Sequence, residues 1–216
     1  MGKNKHVIVL HGLALDRLWM MGVARKLSSA GYTVHNISYP SRHKDFVAIV
    51  DDHIVPLIRA LGVEKVDFVA HSMGGILVRI YAEHYGTANI GRVVMLGTPN
   101  HGSEAADYLK DVALFKWYFG YAGQNLGTSD KDMPAHLGPV KFECGVIAGC
   151  CHWCHFPTPF IVGMPRPNDG IVAVESTKVE GMKDHIVLNV DHSLMVWSPE
   201  VWRQAVTFLE TGSFQR

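Results

Sequence analysis

Ser72 lies in the run Ala70-His71-Ser72-Met73-Gly74-Gly75, where a very apolar stretch of strand length gives way to a stretch of helical period. A serine hydroxyl is a weak nucleophile until a neighbouring base takes its proton. A sharp strand-to-helix turn is a setting that presents such a hydroxyl for attack. Ala70 and Gly74, two before and two after the serine, let neighbouring backbone pass closely while the serine is held strained. The following helix aims its free N–H groups and positive dipole end at developing negative charge. The plainer use of Ser72 is as a helix N-cap. Late in the chain, Asn168-Asp169-Gly170-Ile171-Val172 and Asp191-His192-Ser193 supply carboxylates and an imidazole.

The elements that must position these groups alternate along the chain. Residues 5–12 form a buried strand, and 16–30 a helix with Asp16 as N-cap and Gly31 as its stop. Residues 33–39 are a strand, and 44–61 hold a helix kinked near Pro56 and ended by Gly62. Strand 65–71 and helix 73–85 flank Ser72. Strands 92–97, 142–148 and 186–190 follow, and helix 199–209 closes the chain with Pro199 in its first turn. Strands apolar on both faces, alternating with helices, predict one α/β domain over 1–216, a mostly parallel sheet of about six strands covered on both sides. Residues 99–139 break the alternation with an aromatic-rich helical stretch, 107–121, and a polar Gly/Pro-rich loop. The expectation is a short cap or lid insertion over 100–140. A second irregular stretch, 149–168, leads to Asp169.

The 216 residues are 48% hydrophobic, enough for a core without a disulfide or metal staple. Twenty basic and twenty acidic side chains cancel with no block of either sign, which argues against a nucleic-acid partner. The opening apolar run is too short for a membrane span and lacks a small-residue cleavage site. His6 stands where a myristoylation motif wants Ser or Thr. The expectation is a cytoplasmic protein without stable membrane insertion.

On the elbow and three further motifs, the chain resembles the α/β-hydrolase superfamily, and within it the small bacterial lipases and esterases. His11-Gly12-Leu13 ends the first strand, where that family places an oxyanion-hole loop. Gly97-Thr98-Pro99-Asn100-His101-Gly102-Ser103 is similar to a stretch that many lipases carry after the strand following the elbow. Asp169 and His192 then appear in the family order serine, acid, histidine. The resemblance runs from first strand to last helix in the family's minimal form, and departs from it in having Ala70 for the first elbow glycine.

It implies ester hydrolysis through an acyl-enzyme. Ser72 is the nucleophile, His192 the general base and acid, Asp169 the group orienting the imidazole. The backbone N–H groups of Leu13 and Met73 form the oxyanion hole, and no cofactor or metal is needed. Asp191, next to His192 in sequence, and Glu175 compete with Asp169, which could also make a simple Asx turn before Gly170. His11, Gly12, His71 and Leu194 are expected at the substrate, with His71 equally suited to a structural role and Asn100 and His101 to either. Leu13, Leu15, Trp19, Met20, Met73, Met195 and, from the insertion, Leu114, Phe115, Trp117, Tyr118 and Phe119 suit core packing or an apolar acyl groove.

The expected partner is a small-molecule or lipid ester. Acyl transfer or thioester cleavage on the same triad is the alternative, and a catalytically silent hydrolase-fold binding protein the second. Cys144, Cys150, Cys151 and Cys154, with His152 and His155, hold enough donors for a zinc site. The second spaced pair of a zinc knuckle is absent, and free thiols are the expectation.

Overall fold

The computed structural model describes residues 5–155, 160 and 163–216; Met1 to Asn4, the rest of the stretch before Gly163 and the side chain of His155 lie outside the described residues. Six parallel strands make one sheet in the order β2-β1-β3-β4-β5-β6. They are β1 (His6–Leu10), β2 (Thr33–Asn36), β3 (Val66–His71), β4 (Ile90–Leu96), β5 (Cys144–Gly149) and β6 (Asp184–Leu188). The chain runs outward from β1 to β2 and then crosses back to place β3 on the other flank of β1. That reversal opens a crevice beyond the carboxyl ends of β1 and β3, where open α/β sheets bind ligands.

Alternate residues of the central strands serve opposite layers. Ile8, Leu10, Phe68, Ala70, Val93 and Met95 pack with the helices of one face, while Val7, Val9, Val69, Val94 and Leu96 pack with those of the other. The first layer holds α2 (Phe46–Ile49), α3 (Val55–Leu61) and α4 (Met73–Tyr85). The second holds α1 (Met21–Ser29) and the C-terminal helix, Pro199–Thr211. Fully buried side chains such as Phe46, Phe68 and Phe208 are each worth roughly 1.5–3 kcal/mol in area removed from water.

Two helices differ from expectation. The first begins at Met21 rather than residue 16: Asp16 caps a turn by accepting from Leu18 N at 2.8 Å, and residues 16–21 form successive i→i+3 turns. Hydrogen bonds from Arg17 N to Ser38 Oγ and from Asn36 Nδ2 to Arg17 O tie this segment to the end of β2 and stop the helix from starting earlier. The kink expected near Pro56 is a π-helical turn, Val50–Ile54, which separates α2 from α3 where proline supplies no N–H. Between β4 and β5 the aromatic stretch is two helices, α5 (Glu104–Leu109) and α6 (Ala113–Gln124), rather than one. No helix among the described residues is long and apolar enough to cross a membrane.

Candidate active site

Ser72 joins β3 to α4 with φ 53° and ψ −122°, a left-handed setting that a residue with a Cβ adopts only under constraint. The constraint is visible on both sides. Its N–H donates to Leu96 O at 2.8 Å. A Cβ on Gly74 would stand 3.0 Å from His11 O and from Leu10 Cβ, and one on Gly75 would strike the Thr98 side chain. The two glycines thus let α4 start hard against β1 and the loop after β4.

His192 Nε2 lies 3.0 Å from Ser72 Oγ, and His192 Nδ1 lies 2.8 Å from Asp169 Oδ2. With Nδ1–H donating to the carboxylate, Nε2 presents its lone pair to the serine O–H. Asp169 is fully buried and follows β5; its Oδ1 accepts from Ile171 N at 3.0 Å and Val172 N at 2.8 Å. The Asx turn and the imidazole partnership are therefore not rivals: each oxygen serves one. His192 N also donates to Asp169 O at 3.1 Å, which joins the two loops through backbone. Of the competing carboxylates, Asp191 accepts from Cys154 N and Ser193 N, and Glu175 pairs with Lys178 at the surface. Gly97, at φ 57°, makes room for the pair: a Cβ there would stand 3.1 Å from His192 Nδ1 and 3.2 Å from Asp169 Oδ2.

Leu13 lines the same cavity as Ser72 and Met73 follows Ser72 at the start of α4, and their N–H groups have no hydrogen-bond partner among the described residues. The Leu13 loop is held by residues that motif reading missed. Tyr39 O–H donates to His11 O, and Tyr39 N donates to His11 Nε2 at 3.3 Å. The Tyr39 and His11 rings stack at 3.9 Å. His11 Nδ1–H in turn donates to Gly12 O at 2.8 Å. Ser41 Oγ accepts from Ala14 N at 3.0 Å, fixing Ala14 at φ 57°. Burial holds the His11 imidazole below its ordinary pKa, consistent with a neutral ring that donates through one nitrogen and accepts through the other. His11 and Gly12 thus lie beneath the loop rather than in the cavity.

His71 is buried, and its Nε2–H donates to His192 O at 2.9 Å. Burial first, and His192 second, pull its pKa down to about 3, so it stays a neutral donor supporting the His192 turn. Its ring also lines the cavity.

That cavity, about 280 Å³, opens above Ser72 and His192. Leu13 and Leu15 line it from the loop after β1, Ile171 and Val172 from the acid segment, and Phe115, Tyr118, Phe119 and Gly123 from α6. Leu114 and Trp117, on the outer side of α6, are about 70% exposed. Met20, Met73 and Met195 are core residues, and Leu194 is half exposed and not part of the lining. Trp19 packs edge-on against Trp197. Asn100 is buried away from the cavity and His101 faces solvent.

The four cysteines are free thiols, Cys144 buried in β5 and Cys154 exposed. Among the described residues no three His, Cys, Asp or Glu side chains converge as a metal site requires.

Comparison with known proteins places the chain. A family model described as the alpha/beta hydrolase fold matches residues 5–136. Triacylglycerol lipases of Pseudarthrobacter phenanthrenivorans and Burkholderia plantarii are each 32% identical over 121 residues, 49% of this chain. The chain spans about a third of those relatives, 36% and 32% respectively. A Bacillus licheniformis lipase in its mature form superposes with TM-score 0.79 at 21% identity, covering 97% of this chain and 92% of that one. A metagenomic carboxyl esterase does so with TM-score 0.72 at 16% identity, covering 98% and 76%. These likenesses agree on the fold.

Proposed function

The chain belongs to the α/β-hydrolase fold family, and from that premise we propose that it is a serine hydrolase cleaving carboxylic esters through an acyl-enzyme. The observation that carries the reading is the line Ser72 Oγ, His192 Nε2, His192 Nδ1, Asp169 Oδ2, with spacings of 3.0 and 2.8 Å, under an apolar cavity. Ser72 Oγ attacks the ester carbonyl carbon as its proton passes to His192 Nε2. The carbonyl oxygen becomes an oxyanion held by the N–H groups of Leu13 and Met73; in other hydrolases, loss of one such donor costs roughly 3 kcal/mol of barrier. Collapse expels the alcohol, which takes the proton from His192. Water then gives one proton to His192 Nε2 and adds to the acyl carbonyl carbon, and as the bond to Ser72 Oγ breaks to free the acid, His192 returns that proton to Ser72 Oγ. Asp169 keeps the imidazole in the required tautomer and stabilises the imidazolium.

The lipase and esterase relatives support ester substrates, and the aliphatic and aromatic walls favour an acyl chain over a charged group. Residues 100–140 are the cap of the same domain, supplying the α6 wall. The test is hydrolysis of p-nitrophenyl acetate, butyrate, octanoate and palmitate by wild type and Ser72→Ala, with a fluorophosphonate label read by mass. Activity lost in the variant, and label on Ser72, are expected. Equal rates in both proteins, or a label elsewhere, would remove Ser72 as nucleophile.

A further inference from the structure

Arg79 is a buried cation in an otherwise apolar helix face, flanked by Ile76, Leu77, Val78 and Ile80. No carboxylate forms a salt bridge with it among the described residues, and its Nε has no partner there. Its guanidinium instead donates to four uncharged oxygens: Asn100 O at 2.9 Å, Asn100 Oδ1 at 3.2 Å, Leu137 O at 2.7 Å and Gly138 O at 3.2 Å. Burial draws its pKa down to about 10, so the cation persists at neutral pH. An apolar residue would fill position 79 with no charge to desolvate, so the guanidinium is spent on these four bonds.

The four acceptors are not scattered. Asn100 opens the excursion between β4 and β5, and Leu137 and Gly138 close it. One planar fork therefore bridges both ends of the segment that builds the α6 wall, and does so from the helix that begins at Ser72. The same Asn100 donates through Nδ2 to Thr177 O at 2.8 Å, at the end of the short helix following Asp169 and Val172. We propose that Arg79 is a positioning residue, a latch that fixes both ends of the 100–138 segment to the nucleophile helix, and thereby sets selectivity for longer acyl chains. Its selectivity arm rests on the ester-hydrolase reading; the latch itself does not. A lysine keeps the charge but is a point donor without the fork that spans the two ends.

The experiment compares wild type, Arg79→Lys and Arg79→Met by amide hydrogen exchange and by p-nitrophenyl acetate and octanoate kinetics. In Arg79→Lys, amides of residues 101–136 are expected to exchange about tenfold faster, with β1 and β3 unchanged. The KM for octanoate is expected to rise about tenfold, while kcat/KM for acetate, whose single methyl offers little surface to the α6 wall, stays within about twofold. Wild-type protection across 101–136 in Arg79→Lys overturns the latch. An equal loss on both esters overturns its role in selectivity. Should Arg79→Met fail to fold, the lysine variant still decides both points. A wild type that cleaves neither ester counts against the ester reading alone, because the exchange measurement still accepts or rejects the latch.

Discussion

Acid should weaken this fold through one side chain in particular. His71 has a pKa near 3 in the folded protein against an ordinary value of 6.5. Between those two values the unfolded chain binds a proton at His71 that the native chain does not. The contribution is thus fully present above pH 6.5, begins to be lost as pH falls below it, and is entirely lost once pH has fallen through the folded value. At about pH 4.5, two units below the unfolded value, the loss is about 3 kcal/mol at about 1.4 kcal/mol per unit. His192 and His11 both act electrostatically on His71, so the wild type alone does not isolate the effect. His71→Gln removes the titration and keeps an N–H able to reach His192 O. Urea unfolding of both proteins at pH 7.5 and 4.5 gives the difference directly. The variant is expected to lose about 3 kcal/mol less than wild type on acidification. Equal losses, within about 0.5 kcal/mol, would refute the buried neutral imidazole and the donor role assigned to it.

Asp169→Asn tests the division of labour between the two carboxylate oxygens. An amide oxygen can still accept from Ile171 N and Val172 N, so stability by urea midpoint should change by less than about 1 kcal/mol, while the amide N–H₂ facing His192 Nδ1 forces the wrong tautomer and kcat should fall about 10⁴-fold. A fall of under tenfold would take Asp169 out of the mechanism. Gly97→Ala puts a Cβ at φ 57° and 3.1 Å from His192 Nδ1. It should cost about 1–3 kcal/mol in a thermal melt and about a hundredfold in kcat through displacement of the imidazole; ordinary values of both would show that the loop yields without consequence.

Some of this architecture was readable in the chain and some was not, for physical reasons. Helix 73–85 has the same bounds in sequence and structure because the elbow fixes its start and its apolar face its length. The grouping of Ser72, Asp169 and His192 came from the family resemblance, whose order serine, acid, histidine they follow, and their side chains meet in the fold. The start of α1 was misplaced by five residues because Asp16 caps a turn as readily as a helix, and only the bonds to Ser38 and Asn36 decide between them. Tyr39 and Ser41 went unseen because a loop side chain bonded to distant backbone leaves no periodic trace. Arg79 did leave a signal, a charge inside Ile76-Leu77-Val78-Arg79-Ile80, that patterning alone did not convert into a partner. The break between α5 and α6 inside the 107–121 helical stretch left no mark in the sequence because its aromatic residues continue across it.

The strand order has a consequence for how reactivity arises as the chain folds. β1, β3 and β4 are central, and once they pair and α4 docks, Ser72 and the N–H groups of Leu13 and Met73 are in place. Asp169 and His192 follow β5 and β6, which add in succession to the β4 edge; among the described residues β6 pairs only with β5. Synthesis delivers the N-terminal part first, so on the proposed chemistry the hydroxyl is shaped before any base exists to deprotonate it. In the proposed mechanism a chain that folds in this order carries Ser72 unarmed, and its reactivity waits for the last strand to join the sheet. Fraying at that outer edge runs the same sequence backwards, silencing the site while the centre of the sheet is still intact.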